Sequence, residues 1–386
     1  MAFELGGPMR ECSARIDGVI EGVLDRAVDD DWMRGAISYQ LGWADRDFTA
    51  VSPGRRCVSG ARLRPFLAIL AHQSALAMTE PGLPVTEVAG RPVTEVAGRP
   101  VTEVAGLGDV VAFAAAVELV HNFSLIHDDI EGGRRVRRGR PALWTVLGAS
   151  PAMEVGNCIH ALAHVCLAGV SVRGPSPALL GDLIGTLAKS TVRLTVGQRR
   201  AISRGQAIDV DWGAYLLMIA GKSAALASCA AYGGALLALG DGSLLARRRT
   251  KCYAEFGRQL GLASRIRDDI RAIWGDGEAG GEHVPSDIRR RTESLPVVFA
   301  LGEARGEAGA RLRHLCSLST ELTGDQELEV RGILDACNAA RFAQRQAELH
   351  GERALCELAG AVEGLETSPS ISVLRELTNS LTAQTH

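Results

Sequence analysis

Val120-His121-Asn122-Phe123-Ser124-Leu125-Ile126-His127-Asp128-Asp129 closes an apolar stretch that begins at Val110. Apolar residues recur there with a spacing near 3.6, which predicts a helix from Val110 to His127 that ends on two adjacent carboxylates. A second stretch ends the same way, at Gly261-Leu262-Ala263-Ser264-Arg265-Ile266-Arg267-Asp268-Asp269. Basic residues follow both: Arg134, Arg135, Arg137, Arg138 and Arg140 after the first, Arg289-Arg290-Arg291 after the second. Adjacent carboxylates on an apolar helix are costly unless paired or bound to a cation. Two such sets point to a shared divalent-metal site that faces a phosphorylated ligand.

The same period governs the rest of the chain. It predicts helices over Arg64 to Met78, Met153 to Val170, Leu179 to Ile202, Trp212 to Leu239, Leu244 to Ile273 and Leu295 to Leu301. Clear two-residue alternation bounded by hairpin turns is missing. The expected class is therefore all-α, with about ten helices or more. Breaks are expected at Ser52-Pro53-Gly54, Gly132-Gly133, Arg173-Gly174-Pro175, Gly240-Asp241-Gly242 and Gly275 to Pro285. The last follows directly on the second Asp pair and suits a flap over a site.

Pro-Val-Thr-Glu-Val-Ala-Gly occurs three times, at 84–90, 92–98 and 100–106. Its period fits no solenoid class, and a proline in each copy disfavours a continuous helix. Residues 84–106 read as a surface-loop insertion produced by duplication.

Composition narrows the classes. Of 386 residues, 46% are hydrophobic and 23% charged, with a net charge of −3. That balance does not suit a nucleic-acid partner. Positive charge is nearly all arginine, the only lysines being Lys189, Lys222 and Lys251. Nine cysteines lie without metal-finger spacing, as reduced thiols do in a cytoplasmic protein. No run of about 18 consecutive apolar residues occurs, so membrane insertion is not expected.

Several ordered motifs resemble the all-trans isoprenyl (polyprenyl) diphosphate synthases, with wording closest to bacterial short-chain geranylgeranyl diphosphate synthases. Ser59-Gly60-Ala61-Arg62-Leu63-Arg64-Pro65 is similar to that family's Gly-Lys-Arg-x-Arg-Pro motif. His121 to Asp129, with Arg137-Arg138-Gly139-Arg140-Pro141, resembles its first aspartate-rich motif and arginine tail. Gly197-Gln198, Tyr215 to Ile219 and Lys222-Ser223 resemble the mid-chain motifs. Asp268-Asp269 with Ile273-Trp274-Gly275-Asp276, then Ser286 to Arg291 and Ser294 to Val297, resembles the second motif and its flap.

The resemblance implies one isoprenoid-synthase-type helical bundle over residues 1–386 with a central active-site cavity. It implies a Mg²⁺-dependent prenyltransferase that condenses an allylic diphosphate with isopentenyl diphosphate to a C15–C20 product. Asp128, Asp129, Asp268 and Asp269 would be catalytic metal ligands. Arg137, Lys222, Ser223 and Gln198 would hold the allylic diphosphate; Arg64, His121 and Arg138 would hold isopentenyl diphosphate. Phe123, five residues before the first pair, would cap the product tunnel. A homodimer is implied, or a heteromer with an active paralogue.

The chain departs from the family pattern at several of these motifs. Gly132 stands where a third Asp is usual, and Glu131 is turned about 100° away from that position. Ala61 replaces the motif lysine, Gln198 is followed by Arg199-Arg200-Ala201, and Arg265 replaces a glutamine. The flap lysine falls on Glu282 or His283, and Thr292-Glu293 replaces a lysine pair. Arg62, Arg199, Arg200 and Arg265 are arginines that could replace the missing cations. Two alternatives remain open at this point: a terpene cyclase of the same fold, and an inactive regulatory paralogue.

Overall fold

The computed structural model describes residues 6–52, 56, 62–78, 95–96, 99–100, 107–172, 177–204, 211–275, 288, 294–318, 320–363 and 368–382. The expectations placed on Ala61, Asp276, Glu282, His283 and Arg289 to Glu293, and on most of the repeat, lie outside these residues.

Helices dominate, in the order α1 (Gly6–Ala27), α2 (Asp31–Leu41), α3 (Leu63–Leu76), α4 (Leu107–Glu131), α5 (Leu143–Leu147), α6 (Ala149–Ala168), α7 (Pro177–Arg204), α8 (Trp212–Ile219), α9 (Ala225–Leu239), α10 (Leu244–Trp274), α11 (Leu295–Glu303), α12 (Gly306–Ser317), α13 (Gly324–Ala336), α14 (Ala339–Ala361) and α15 (Pro369–Thr382). The all-α expectation is borne out, and the seven predicted helices are all present. Only two short antiparallel ladders interrupt the helices among the described residues. β1 (Glu95–Val96) pairs with β2 (Arg99–Pro100) inside the repeat, and β3 (Val136–Arg137) pairs with β4 (Arg140–Pro141).

The chain divides into two compact units. The first comprises Met1–Thr191, Leu226–Gly257 and Glu357–Glu376; the second comprises Val192–Ala225, Arg258–Cys356 and Leu377–His386.

The first unit is organised around α4, which packs on α1, α3 and α6. Every residue from Val110 to Val120 is buried, so α4 is apolar on all sides, as a core helix must be. Glu118 is the one carboxylate in that run. Close approach is specified by small residues: a Cβ on Gly233 would meet the Phe113 ring, and one on Gly234 would meet the backbone of Ala68. Polar caps fix helix ends locally. Asp30 accepts the Met33 N–H at 2.6 Å, and Gly42 ends α2 in the left-handed region.

In the second unit, Tyr215, Ile219, Leu262, Ile266, Leu295 and Ala347 form one buried cluster. The Phe299 and Phe342 rings stack beside it at 3.9 Å, with Trp212 edge-on to Phe342. Asp211 caps α8 by accepting the Ala214 N–H at 2.8 Å. The predicted Trp212 to Leu239 helix is interrupted by a π-turn over Ala220–Ala224. Such one-turn bulges insert an extra residue and are frequent at functional sites.

Among the described residues, two helical spans, Gly108–Glu131 and Trp212–Leu239, are long and apolar enough to cross a membrane. Of their apolar windows, 78% and 56% are buried inside the protein, as expected of core helices. The eight described cysteines are all free thiols.

Candidate active site

The first aspartate pair occupies the last turn of α4. The chain leaves the helix immediately afterwards: the Gly132 N–H bonds to Asp128 O at 2.9 Å, and the Arg134 N–H bonds to Asp129 O at 2.8 Å. Gly133, at φ 62°, supplies the left-handed turn between them. A helix C-terminus carries partial negative charge, so two carboxylates there call for cations.

The β3–β4 hairpin delivers them. Its two-residue turn has positive φ at both positions, 54° at Arg138 and 71° at Gly139, the geometry of a type I′ turn. Glycine tolerates that conformation; arginine adopts it at a cost that the anchored hairpin must offset. Arg140 provides one anchor, donating to Ala44 O at 2.7 Å and lying 4.2 Å over the Tyr39 ring. Tyr39 in turn donates its hydroxyl to Pro141 O at 2.7 Å. Trp144 donates to Arg134 O at 2.7 Å from the far side.

Arg137 is thereby aimed back at the pair. Its Nε lies 2.7 Å from Asp129 Oδ2 and its Nη2 lies 2.6 Å from Asp129 Oδ1, a bidentate clamp. The same Nη2 is 3.7 Å from Asp128 Oδ2, and Arg134 is 3.7 Å from Asp129 Oδ1. Burial pushes the Asp129 carboxyl above its ordinary range against the opposing pull of Arg137. Asp129 is buried, whereas Asp128 stays half-buried.

Two turns back on α4, His121 Nε2 lies 3.4 Å from Arg64 Nη1, on the first turn of α3. Burial, together with the charges of Arg64, Arg138 and Arg137, holds His121 well below the ordinary imidazole range. Its neutral ring therefore sits among three guanidinium groups. Arg64, His121, Arg137 and Arg138, separated by up to 74 positions in sequence, converge in one unit beside Asp128 and Asp129. The Phe123 ring lies 4.6 Å from that of His127 and 4.9 Å from that of His160.

The second unit holds the other half of the predicted residues. Gly197 and Lys222 approach so closely that a Cβ on Gly197 would fall 2.5 Å from the backbone nitrogen of Lys222. This contact seats the π-turn bearing Lys222 and Ser223 against the α7 turn bearing the buried Gln198. The second aspartate pair lies near the C-terminal end of α10. Asp269 is fully buried and accepts from the Tyr215 hydroxyl and from the Leu295 N–H at 3.0 Å. Arg265, one helical turn earlier, places Nη2 at 2.7 Å from Asp269 Oδ1. Asp268 is exposed.

The two pairs thus share a pattern: in each, the second aspartate is buried and bound by an arginine, and the first is the more exposed of the two. Among the described residues no group of three or more His, Cys, Asp or Glu side chains forms a ready-made metal cage. Magnesium needs none, because it is commonly bound by one or two carboxylates, with water and substrate phosphate completing the octahedron. Asp128 in the first unit and Asp268 in the second are each carboxylates of the chemical type that magnesium takes.

Two of the arginines considered as replacement cations have other partners. Arg62 is buried and pairs with Asp17 at 2.7 Å, and Arg265 is spent on Asp269. Arg199 and Arg200 are exposed. Sequence reasoning passed over Tyr215 as a partner of Asp269, and Glu118 altogether. A carboxylate inside the apolar run from Val110 to Val120, three residues before His121, was the available signal for Glu118.

Residues 56–329 match the family model for polyprenyl synthetase. The chain is 33% identical over 362 residues to a geranylgeranyl diphosphate synthase of Mycobacterium tuberculosis, covering 92% of this chain and 89% of that one. It is 31% identical over 324 residues to a (2E,6E)-farnesyl diphosphate synthase of Mycobacterium bovis, covering 83% and 78% respectively. The crystal structure of a polyprenyl synthetase from Streptomyces coelicolor superimposes with a TM-score of 0.76 at 27% identity, covering 97% of this chain and 98% of that one. With its fold, its ordered motifs and these likenesses in agreement, the chain belongs to the polyprenyl synthetase family.

Proposed function

We propose that this chain is a trans-prenyltransferase that condenses an allylic diphosphate with isopentenyl diphosphate and releases a C15–C20 prenyl diphosphate. The observation that supports the reading is the cluster of Arg64, His121 and Arg138 in the unit that holds the Asp128–Asp129 turn. Three cationic or N–H-donating side chains suit a diphosphate, and arginine binds phosphate oxygens bidentately.

Arg64, His121 and Arg138 hold the diphosphate of isopentenyl diphosphate. Lys222, Ser223 and Gln198 hold that of the allylic substrate, and Arg137 offers a further cation at the Asp128–Asp129 turn. Asp128 and Asp268 would each offer a carboxylate to Mg²⁺, on which the family generally depends, while Asp129 and Asp269 are held by Arg137 and Arg265. Bound Mg²⁺ supplies charge neutralisation of the pyrophosphate leaving group. The allylic C–O bond breaks, pyrophosphate takes the electron pair, and the isopentenyl double bond attacks the allylic carbon. A proton then leaves the new cation for the released pyrophosphate. Phe123, backed by His127 and His160, limits the growing chain. The protein works as a homodimer.

The test is turnover. Purified protein is incubated with Mg²⁺ and geranyl, farnesyl or geranylgeranyl diphosphate, each with and without isopentenyl diphosphate. Geranyl and farnesyl diphosphate should be elongated to C15 and C20 products only when isopentenyl diphosphate is present, and geranylgeranyl diphosphate should not be elongated. Hydrocarbon products from the allylic substrate alone would replace this reading with a cyclase.

A further inference from the structure

α10 opens on two bare leucines. Leu244 and Leu245 are 86% and 54% exposed, and Leu244 is the most exposed large apolar side chain among the described residues. They stand on a capped helix start. The Ser243 hydroxyl accepts the Ala246 N–H at 3.0 Å, and Ser243 O accepts the Arg247 N–H at 3.1 Å. Arg247, Arg248, Arg249 and Lys251 follow, all within the first unit. Ala246, Thr250 and Tyr253 are buried, which turns Leu244, Arg248 and Lys251 outward along one face. Asp241 is the only acidic residue from 226 to 254, and the half-buried Glu255 ends the basic stretch one turn beyond Lys251.

These cations do not serve the fold. Arg247 and Lys251, four apart, are a like-charge pair that by itself destabilises a helix. The arginine side chains donate to backbone only: Arg247 Nε to Asp241 O at 2.9 Å and Arg249 Nη2 to Glu363 O at 3.4 Å. Among the described residues no carboxylate forms an ion pair with any of the four cations. An isologous contact with a second copy would set these cations against themselves. One helix corner is also far smaller than the roughly 800 Å² per partner of a stable protein interface. A lipid surface asks for less: apolar side chains enter the acyl boundary, and Arg and Lys heads stay among anionic headgroups. We propose that the Leu244–Lys251 corner of α10 is a reversible docking surface for an anionic lipid bilayer. Leu244 and Leu245 enter the bilayer surface, Arg247, Arg248 and Lys251 meet the headgroups, and no helix crosses. A prenyl diphosphate is itself an amphiphile, so docking delivers such a product where its chain partitions.

Vesicle flotation of the full chain tests this, with vesicles of phosphatidylcholine alone and of phosphatidylcholine mixed with phosphatidylglycerol. The wild type should bind the mixed vesicles at least tenfold more tightly than the neutral ones, and about 1 M NaCl, where charges are screened beyond about 3 Å, should release it. A basic residue near an anionic surface is worth roughly fivefold in binding, so the triple variant Arg247→Gln, Arg248→Gln, Lys251→Gln should bind about a hundredfold more weakly. The double variant Leu244→Ser, Leu245→Ser, with its cations intact, should lose at least tenfold. These side chains are exposed and remote in sequence from both aspartate pairs, so the melting temperature and the vesicle-free turnover of both variants should match the wild type. Absence of wild-type binding to the mixed vesicles overturns the proposal. So does binding by either variant that equals the wild type. A change of oligomeric state in the leucine variant, read by light scattering, overturns it in favour of a contact between copies of the chain.

Discussion

Arg265 and Asp269, one helical turn apart on α10, form a 2.7 Å ion pair in which the carboxylate is fully buried and the guanidinium half-buried. Asp269 also accepts from Tyr215 and from the first N–H of α11. It therefore joins three elements of the second unit, while its neighbour Asp268 faces solvent. Removing one partner of a buried pair leaves an uncompensated charge and costs about 3–5 kcal/mol, less where other donors remain. Arg265→Gln, which restores the residue usual in the family, should lower stability by about 2 kcal/mol in urea titrations. Asp268→Asn should shift the urea midpoint negligibly.

Arg137 is committed to Asp129 through two donors, a geometry that lysine lacks. Arg137→Lys should retain the local charge but lose roughly 1.5–3 kcal/mol of charge-assisted bonding. Because the hairpin aims this residue at the Asp128–Asp129 turn, kcat/KM for the allylic substrate should fall by about ten- to a hundredfold. KM for isopentenyl diphosphate should change much less, and steady-state kinetics with each substrate varied in turn checks the split.

Phe123 packs against His127 and His160 at ring separations of 4.6 and 4.9 Å. Phe123→Ala opens the volume of an aromatic ring beneath the proposed product chain. Mass spectrometry of the products should show at least one additional five-carbon unit relative to the wild type. An unchanged product distribution would remove Phe123 from the chain-length assignment.

His72 is buried on α3, and burial depresses its imidazole to about 4 from an ordinary 6.5. The unfolded chain therefore binds this proton first as pH falls. The stability associated with neutral His72 is fully present above about pH 6.5 and is lost progressively between pH 6.5 and 4, amounting to about 3 kcal/mol. His72→Phe should flatten the urea-stability profile across that window by about 2–3 kcal/mol, with little change in its shape above pH 7.

The helical architecture was legible because a period of 3.6 dominates long stretches such as Val110 to His127 and Leu244 to Ile273, which lie inside α4 and α10. The β3–β4 hairpin was not, since four residues paired two by two carry no detectable alternation. The π-turn at Lys222 escaped for a related reason: it inserts one residue into an otherwise uniform apolar helix. Within the site, Arg64, His121, Arg137 and Arg138 were named from the motifs, and the structure brings them together in one unit. The division of labour inside each Asp pair was not legible. Asp128 and Asp129 are chemically identical, and only the return of Arg137 through the hairpin distinguishes them. Likewise, the sequence offers Arg62 and Arg265 as cations, but burial against Asp17, Glu118 and Asp269 decides where their charge goes.

Asp128 and Asp268 are the carboxylates proposed for Mg²⁺, and the most direct measurement is Mg²⁺-dependent turnover of their single asparagine variants. Asp128→Asn and Asp268→Asn should each lower kcat/KM by about a hundredfold or more, equivalent to roughly 3 kcal/mol of lost transition-state stabilisation. Their melting temperatures should stay close to that of the wild type, and the Mg²⁺ concentration for half-maximal rate should rise. Full activity at wild-type Mg²⁺ dependence in both variants would contradict the assignment.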